Sequence, residues 1–287
     1  MFTRTVLLAL CFLTGCKFGL DYSGDEAGIQ REFLPVEGHA GRVLSYLIDP
    51  SPGNPRVIFI HGSPGRSSMY VDYLRNPVGG VETIAVDRIG YGESRPLKAV
   101  VSFEEQAAAI APLLEKRNEL WPILVGHSLG GPIATRLAAD NPDKVSGLII
   151  VAGGLNPELE EVRWYNEIAR WRIVSPFLVD FLRISNNEMY ACHDQVELLE
   201  PILDRIQCPI VILHGTDDDL VPFETIAFSI RRFERNPYVY VVVMMEEGHS
   251  VTKKRQEEVR DVIAGLRRGL IDLLEVETPI DTPGARE

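Results

Sequence analysis

Three short stretches of this chain hold residue types suited to nucleophilic catalysis. Gly126-His127-Ser128-Leu129-Gly130-Gly131 follows the apolar run PILV and precedes a helical pattern. A serine hydroxyl is a weak nucleophile unless the backbone thrusts it out and a base takes its proton. A G-x-S-x-G turn meets the first condition, with Gly126 and Gly130 standing where side chains would collide. Between a buried strand and a helix, such a turn also sets the partial positive charge of the helix N-terminus beneath a developing oxyanion. Ser128 is the candidate nucleophile; the bland alternative is a Gly-rich turn with an incidental serine. FIHGSPG, after an earlier strand pattern, offers a second oxyanion donor. The backbone N–H groups of Ser63 and Leu129 are expected to point at the substrate oxygen, with Gly62 and Gly65 letting the chain pass close. The Ser63 side chain need take no part.

The base must come from six histidines: His39, His61, His127, His193, His214 and His249. His61 and His214 end strand patterns beside glycines and read as loop-shaping residues. His127 adjoins the nucleophile and should point away from it. His39 precedes the sheet core, and His193 falls in a helical stretch. His249, in MMEEGHS after the run YVYVVVM, lies at a strand's carboxyl end, where open α/β sheets build their sites. ILHGTDDDLVP offers three adjacent acids, Asp217, Asp218 and Asp219. They read as an acidic surface turn, half of a cation site or the place of one catalytic carboxylate, although no neighbouring acidic pattern resembles a calcium loop.

The elements that must position these groups are legible as short apolar runs alternating with helical stretches, the signature of a parallel sheet wrapped by helices. Strand candidates are RVLSYLI, RVIFI, ETIAV, PILVG, GLIIVA, PIVIL and YVYVVVM. Several are apolar throughout, as strands covered on both faces should be. Helix candidates include SFEEQAAAIAPLLEKR, with Ser102 as N-cap and Glu105 completing a capping box, SLGGPIATRLAAD, and the long KKRQEEVRDVIAGLRRGLIDLL. From about 156 to 200 no strand pattern occurs, and Trp164, Ile168 and Trp171 recur at helical spacing. That segment reads as an inserted helical cap whose aromatic residues pack on the core or meet substrate.

The order Ser128, Asp218, His249, with HGSPG, DRIGYGES, GHSLGG, HGTDDDLVP and EGHS each following a strand, resembles the α/β-hydrolase fold superfamily over roughly residues 35 to 270. The resemblance implies an α/β-hydrolase fold, a mostly parallel central sheet flanked by helices, with a small helical cap after the sixth core strand. It also fixes a register among the aspartates. In the family's G-x-x-D-x-x-V-P turn, Gly215 and Val221-Pro222 align Asp218 with the acid, leaving Asp217 and Asp219 as turn and solvent residues. Asp87-x-x-Gly90-x-Gly92-x-Ser94 is similar to a family turn expected to support the nucleophile. Serine at the elbow separates the chain from dehalogenases and epoxide hydrolases, which use aspartate. The implied activity is cleavage of carboxylic esters through an acyl-enzyme, with no metal or organic cofactor. Thioesters, lactones and activated carbon–carbon bonds suit the same triad, and a membrane-tethered binding protein that has lost turnover is the alternative of another class.

The first residues, MFTRTVLLALCFLTGC, join a basic start to an apolar run from Val6 to Leu13. That run is too short to span a hydrocarbon core of about 30 Å, and reads as a removable export signal. Leu13-Thr14-Gly15-Cys16 resembles a bacterial lipobox, which implies lipidation at Cys16 and membrane anchoring; Lys17 favours the outer membrane by that family's sorting rule. The expected organisation is therefore a signal at 1–15, a tether at 16–30, hydrolase core at 31–154 and 201–274, a cap at 155–200 and a tail at 275–287. The expected location is the periplasmic face of the outer membrane. Cys192 and Cys208 read as two buried thiols or, in an exported protein, as a disulfide. A chain of 287 residues with 45% hydrophobic residues can bury a large core, and a net charge of −12 argues against nucleic acid as a partner.

Overall fold

The computed structural model describes residues 25–159, 166–167 and 179–269. The expected signal peptide, Cys16, most of the tether, Trp164, Ile168, Trp171 and the tail lie outside the described residues.

One eight-stranded sheet organises the chain. Its strands are β1 (Gln30–Pro35), β2 (Val43–Asp49), β3 (Arg56–Ile60), β4 (Glu82–Asp87), β5 (Ile123–His127), β6 (Gly147–Val151), β7 (Ile210–Gly215) and β8 (Val239–Met244). They lie side by side in the order β1-β2-β4-β3-β5-β6-β7-β8. β1 and β2 are antiparallel to their neighbours, and the remaining pairs run parallel. The expected α/β sheet is thus present, with one strand more than the apolar runs announce. β1, QREFLP, is an edge strand with no residue fully buried, so it leaves no apolar run in the sequence.

Alternation along the strands builds two cores. Ile58, Ile60, Ile84, Val86, Leu124, Ile150 and Ile212 face one side. Val57, Phe59, Ala85, Val125, Ile149, Val151 and Leu213 face the other. Helices α1 (Val71–Arg75), α2 (Phe103–Ile110), α3 (Gly130–Asp140), α4 (Asp180–Glu197), α5 (Thr225–Arg232), α6 (Val251–Lys254) and α7 (Gln256–Arg268) cover both faces. Ser102 caps α2 by accepting the Glu105 N–H at 3.2 Å, and α2 gives way at Ala111 to a 3-10 turn that contains Pro112. Glu105 turns outward to Arg42 at 2.6 Å instead of returning to Ser102. The long helical pattern near the C-terminus divides at Arg255 into α6 and α7, and α7 ends on the left-handed Gly269. Cys192 and Cys208 are both buried and form no disulfide, and burial pushes the Cys208 thiol up to about 12.

The topology itself creates a site. β4 lies on one side of β3 and β5 on the other, so the chain reverses its direction of travel across the sheet between them. At such a switch point the loops leaving two adjacent strands part to opposite faces and open a crevice at their carboxyl ends. β3 and β5 pair in register, Ile60 opposite Gly126, and deliver HGSPG and GHSLGG to that crevice together.

Candidate active site

Ser128 sits where β5 turns sharply into α3. Its φ of 53° is left-handed, a conformation costing a non-glycine residue about 1–3 kcal/mol unless its surroundings enforce it. Two bonds enforce it: Ser128 N–H donates to Val151 O at 2.9 Å, and its carbonyl accepts from Gly131 N–H at 2.8 Å. The turn is also crowded. A Cβ at Gly126 would meet the Gly130 carbonyl, and one at Gly130 would meet the Ile60 carbonyl, so both positions require glycine. On the other side, a Cβ at Gly62 would come within 2.6 Å of Ser128 Cβ, placing HGSPG directly against the serine. Among the described residues, neither the Ser63 nor the Leu129 N–H is spent on a protein acceptor.

His249 and Asp218 come from the loops after β8 and β7. His249 Nδ1 donates to Asp218 Oδ2 at 2.8 Å, which leaves Nε2 as the free basic nitrogen. Asp218 Oδ1 accepts the N–H groups of Leu220 and Val221, each at 2.9 Å. Burial works against the Asp218 charge, but the bond and charge of His249 and those two amides outweigh it and hold the carboxyl below its usual value. Asp217 and Asp219 are exposed, whereas Asp218 is 7% exposed. Asp217 accepts from the Thr216 hydroxyl at 2.9 Å, so the triplet does not converge as a cation site would. No hydrogen bond joins Ser128 Oγ to His249 among the described residues. Such bonds commonly tighten only in the complex with substrate.

Two further histidines frame this set. The His127 ring lies 5.0 Å from that of His249, and its Nε2–H donates to the His249 carbonyl at 2.9 Å. The His214 Nε2–H donates to the Val221 carbonyl at 2.9 Å, bracing the turn that holds Asp218. Both Nδ1 atoms are buried with no partner, which suits rings that stay neutral. Burial, reinforced by the neighbouring His249, depresses His127 to about 3, and burial lowers His214 as well. The sequence marks His214 as a loop-shaping residue, but the grip of His127 on the His249 backbone has no signal in it.

Asp87 ties its own turn to the segment after HGSPG. Its carboxylate accepts Ser67 N–H at 2.7 Å, Glu93 N–H at 3.1 Å and Arg31 Nη1 at 2.6 Å, tying the turn after HGSPG to strand β1. His193, Asp194 and Glu197 bring potential ligand atoms within 4.8 Å of one another on the outer side of α4, where the two acids are exposed. His193 there turns Nδ1 to the Pro157 carbonyl at 2.9 Å, and that bond raises its pKa. Among the described residues no helix is long and apolar enough to cross a membrane.

Comparison with known proteins follows the same lines. A family model described as the alpha/beta hydrolase family matches residues 57–262. A 2-hydroxy-6-oxononadienedioate/2-hydroxy-6-oxononatrienedioate hydrolase of Paraburkholderia xenovorans is 23% identical over 67% of this chain and 81% of its own. Lipase 1 of Psychrobacter immobilis is 26% identical over 84% of this chain and 85% of its own. Among solved structures, a carboxylesterase of Nitrososphaera gargenis superposes with a TM-score of 0.65 at 18% identity, covering 85% of this chain and 100% of that one.

Proposed function

Because the chain belongs to the alpha/beta hydrolase family, we propose that it is a serine hydrolase cleaving carboxylic esters through an acyl-enzyme. The observation that carries this reading is the His249–Asp218 bond of 2.8 Å, set beside a serine held at a left-handed φ. In this reading Ser128 Oγ bonds to the substrate carbonyl carbon as its proton passes to His249 Nε2. The carbonyl electrons move to oxygen, which the N–H groups of Ser63 and Leu129 stabilise. Collapse of that intermediate breaks the bond to the leaving alcohol, which takes the proton from His249. Water then attacks the acyl-enzyme by the same route, releasing the carboxylic acid and restoring Ser128. Asp218 holds the imidazole tautomer and stabilises its charged form without itself being protonated.

A fluorophosphonate probe tests the reading: wild-type protein labels at Ser128 and Ser128→Ala does not. A folded wild type that neither labels nor hydrolyses p-nitrophenyl esters refutes it. The similarity to the Paraburkholderia xenovorans hydrolase favours a second reading, the same triad acting on a substrate other than a simple ester. A screen of ester, thioester, lactone and activated carbon–carbon substrates separates the two.

The apolar run ending in Leu13-Thr14-Gly15-Cys16 supports a lipid-anchored location, with Cys16 acylated. Cys16→Ala is expected to abolish processing and to release the protein from membranes. Unchanged membrane association would reject the anchor.

A further inference from the structure

The loop carrying the Ser63 N–H is gripped by a buried ion pair that the reaction scheme does not use. Arg88, immediately after β4, has no exposed surface. Its Nε donates to the His61 carbonyl at 2.9 Å and its Nη2 to the Gly62 carbonyl at 2.8 Å. The other edge of the guanidinium meets Glu188 of α4 through Nη1 to Oε1 at 2.6 Å and Nη2 to Oε2 at 3.1 Å. Glu188, 3% exposed, also accepts at Oε2 from the Ser63 hydroxyl at 2.6 Å and the Tyr91 hydroxyl at 2.7 Å. Ser63 Oγ lies 2.9 Å from Tyr91 OH and 3.0 Å from Ser185 Oγ. The Tyr91 ring faces the guanidinium at 4.8 Å and meets the His61 ring edge-on at 5.3 Å.

Stability alone does not call for this arrangement. Removing two charges from water costs several kcal/mol per ion, and well-packed apolar residues often serve a core as well. What an apolar pair cannot do is point a peptide. The Gly62–Ser63 bond is trans, so the Gly62 C=O and the Ser63 N–H lie in one rigid plane and face opposite ways. Fixing the carbonyl therefore fixes the N–H. Two donors fix it: Arg88 Nη2, and His61 Nδ1–H at 2.7 Å. The Arg88 N–H, donating to His61 Nε2 at 3.1 Å, sets the tautomer this requires.

We propose that Arg88 and Glu188 are positioning residues for acyl transfer: the pair holds the Gly62–Ser63 peptide plane so that its N–H faces the developing oxyanion. The helix α4 then takes part in positioning the oxyanion donor, through Glu188. This rests on the reading of Ser128 as nucleophile and Ser63 N–H as oxyanion donor.

The test is Arg88→Met/Glu188→Met, which removes both charges while keeping side-chain volume, assayed with p-nitrophenyl esters of short and long acyl chain. Misplacing an oxyanion donor costs about 10²-fold. The expected result is a kcat loss of that order, the same for every chain length, with KM within about twofold and a Tm close to wild type. A folded double variant with wild-type kcat overturns the proposal, and so does a loss that scales with acyl length, which would mark a substrate-covering role. If the double variant fails to fold, Glu188→Gln decides: a kcat reduced about tenfold at unchanged KM supports the proposal and an unchanged kcat overturns it. Fluorophosphonate labelling of wild-type Ser128 keeps the two readings apart. Absence of labelling refutes the hydrolase reading itself, whereas normal labelling with undiminished variants refutes only the role of the ion pair.

Discussion

Asp218 and His249 share one hydrogen bond of 2.8 Å, and Asp218 commits its other oxygen to the amides of Leu220 and Val221. Each of its two oxygens thus has a separate task. One orients the imidazole and the other fixes the carboxylate against rotation.

Unequal sensitivity along the aspartate triplet follows. Asp218→Asn is expected to lower kcat by about 10⁴-fold, as loss of the tautomer-fixing acid does. Asp217→Asn and Asp219→Asn, at exposed positions, are expected to stay within about threefold of wild type, as exposed residues outside the triad usually do. Steady-state kinetics on one p-nitrophenyl ester checks all three, and equal losses would contradict the assigned register.

The strained serine gives a stability signature independent of turnover. Ser128→Ala keeps a Cβ at φ 53°, whereas Ser128→Gly removes it. Both variants should be inactive, and the glycine variant should be the more stable by about 1 kcal/mol, because a left-handed φ penalises every residue with a Cβ. Urea unfolding of the two proteins measures the difference.

Acid should loosen the fold before it protonates the carboxylates. His127 is depressed by burial from an ordinary 6.5 to about 3, so between those values the unfolded chain binds a proton that the folded chain refuses. Stability present above pH 6.5 is therefore lost as the pH falls toward 3. His61 and His214, also lowered by burial, act with the same sign. Within that window the proton refused by His127 contributes a slope of about 1.4 kcal/mol per pH unit. Denaturation at several pH values should show the decline starting near pH 6.5, and His127→Gln should flatten it.

Much of this was legible in the sequence because it follows from local pattern. Largely apolar runs give β3 to β7, and the glycines of GHSLGG mark an elbow whose crowding the structure displays. Elements governed by partners distant in the chain were not legible. β1 has no apolar stripe because it lies at the sheet edge, and its place depends on β2. Arg88 reads as an ordinary charge in DRIGYGES, and Glu188 as a polar position of an amphipathic helix. Only their meeting across 100 residues makes both buried. The one clue available was a cation two residues after ETIAV, where a buried strand leaves little room for an unpaired charge.

That distant pairing also bears on how the molecule comes apart. If α4 left the sheet alone, Arg88 would remain charged, without its carboxylate, among groups shut off from water, and breaking such a pair costs about 3–5 kcal/mol. Detachment of the helix is thereby tied to the integrity of the strands beneath it. Heating should show core and insertion melting together in a single cooperative transition, so the helix behaves thermodynamically as a member of the core it was inserted into.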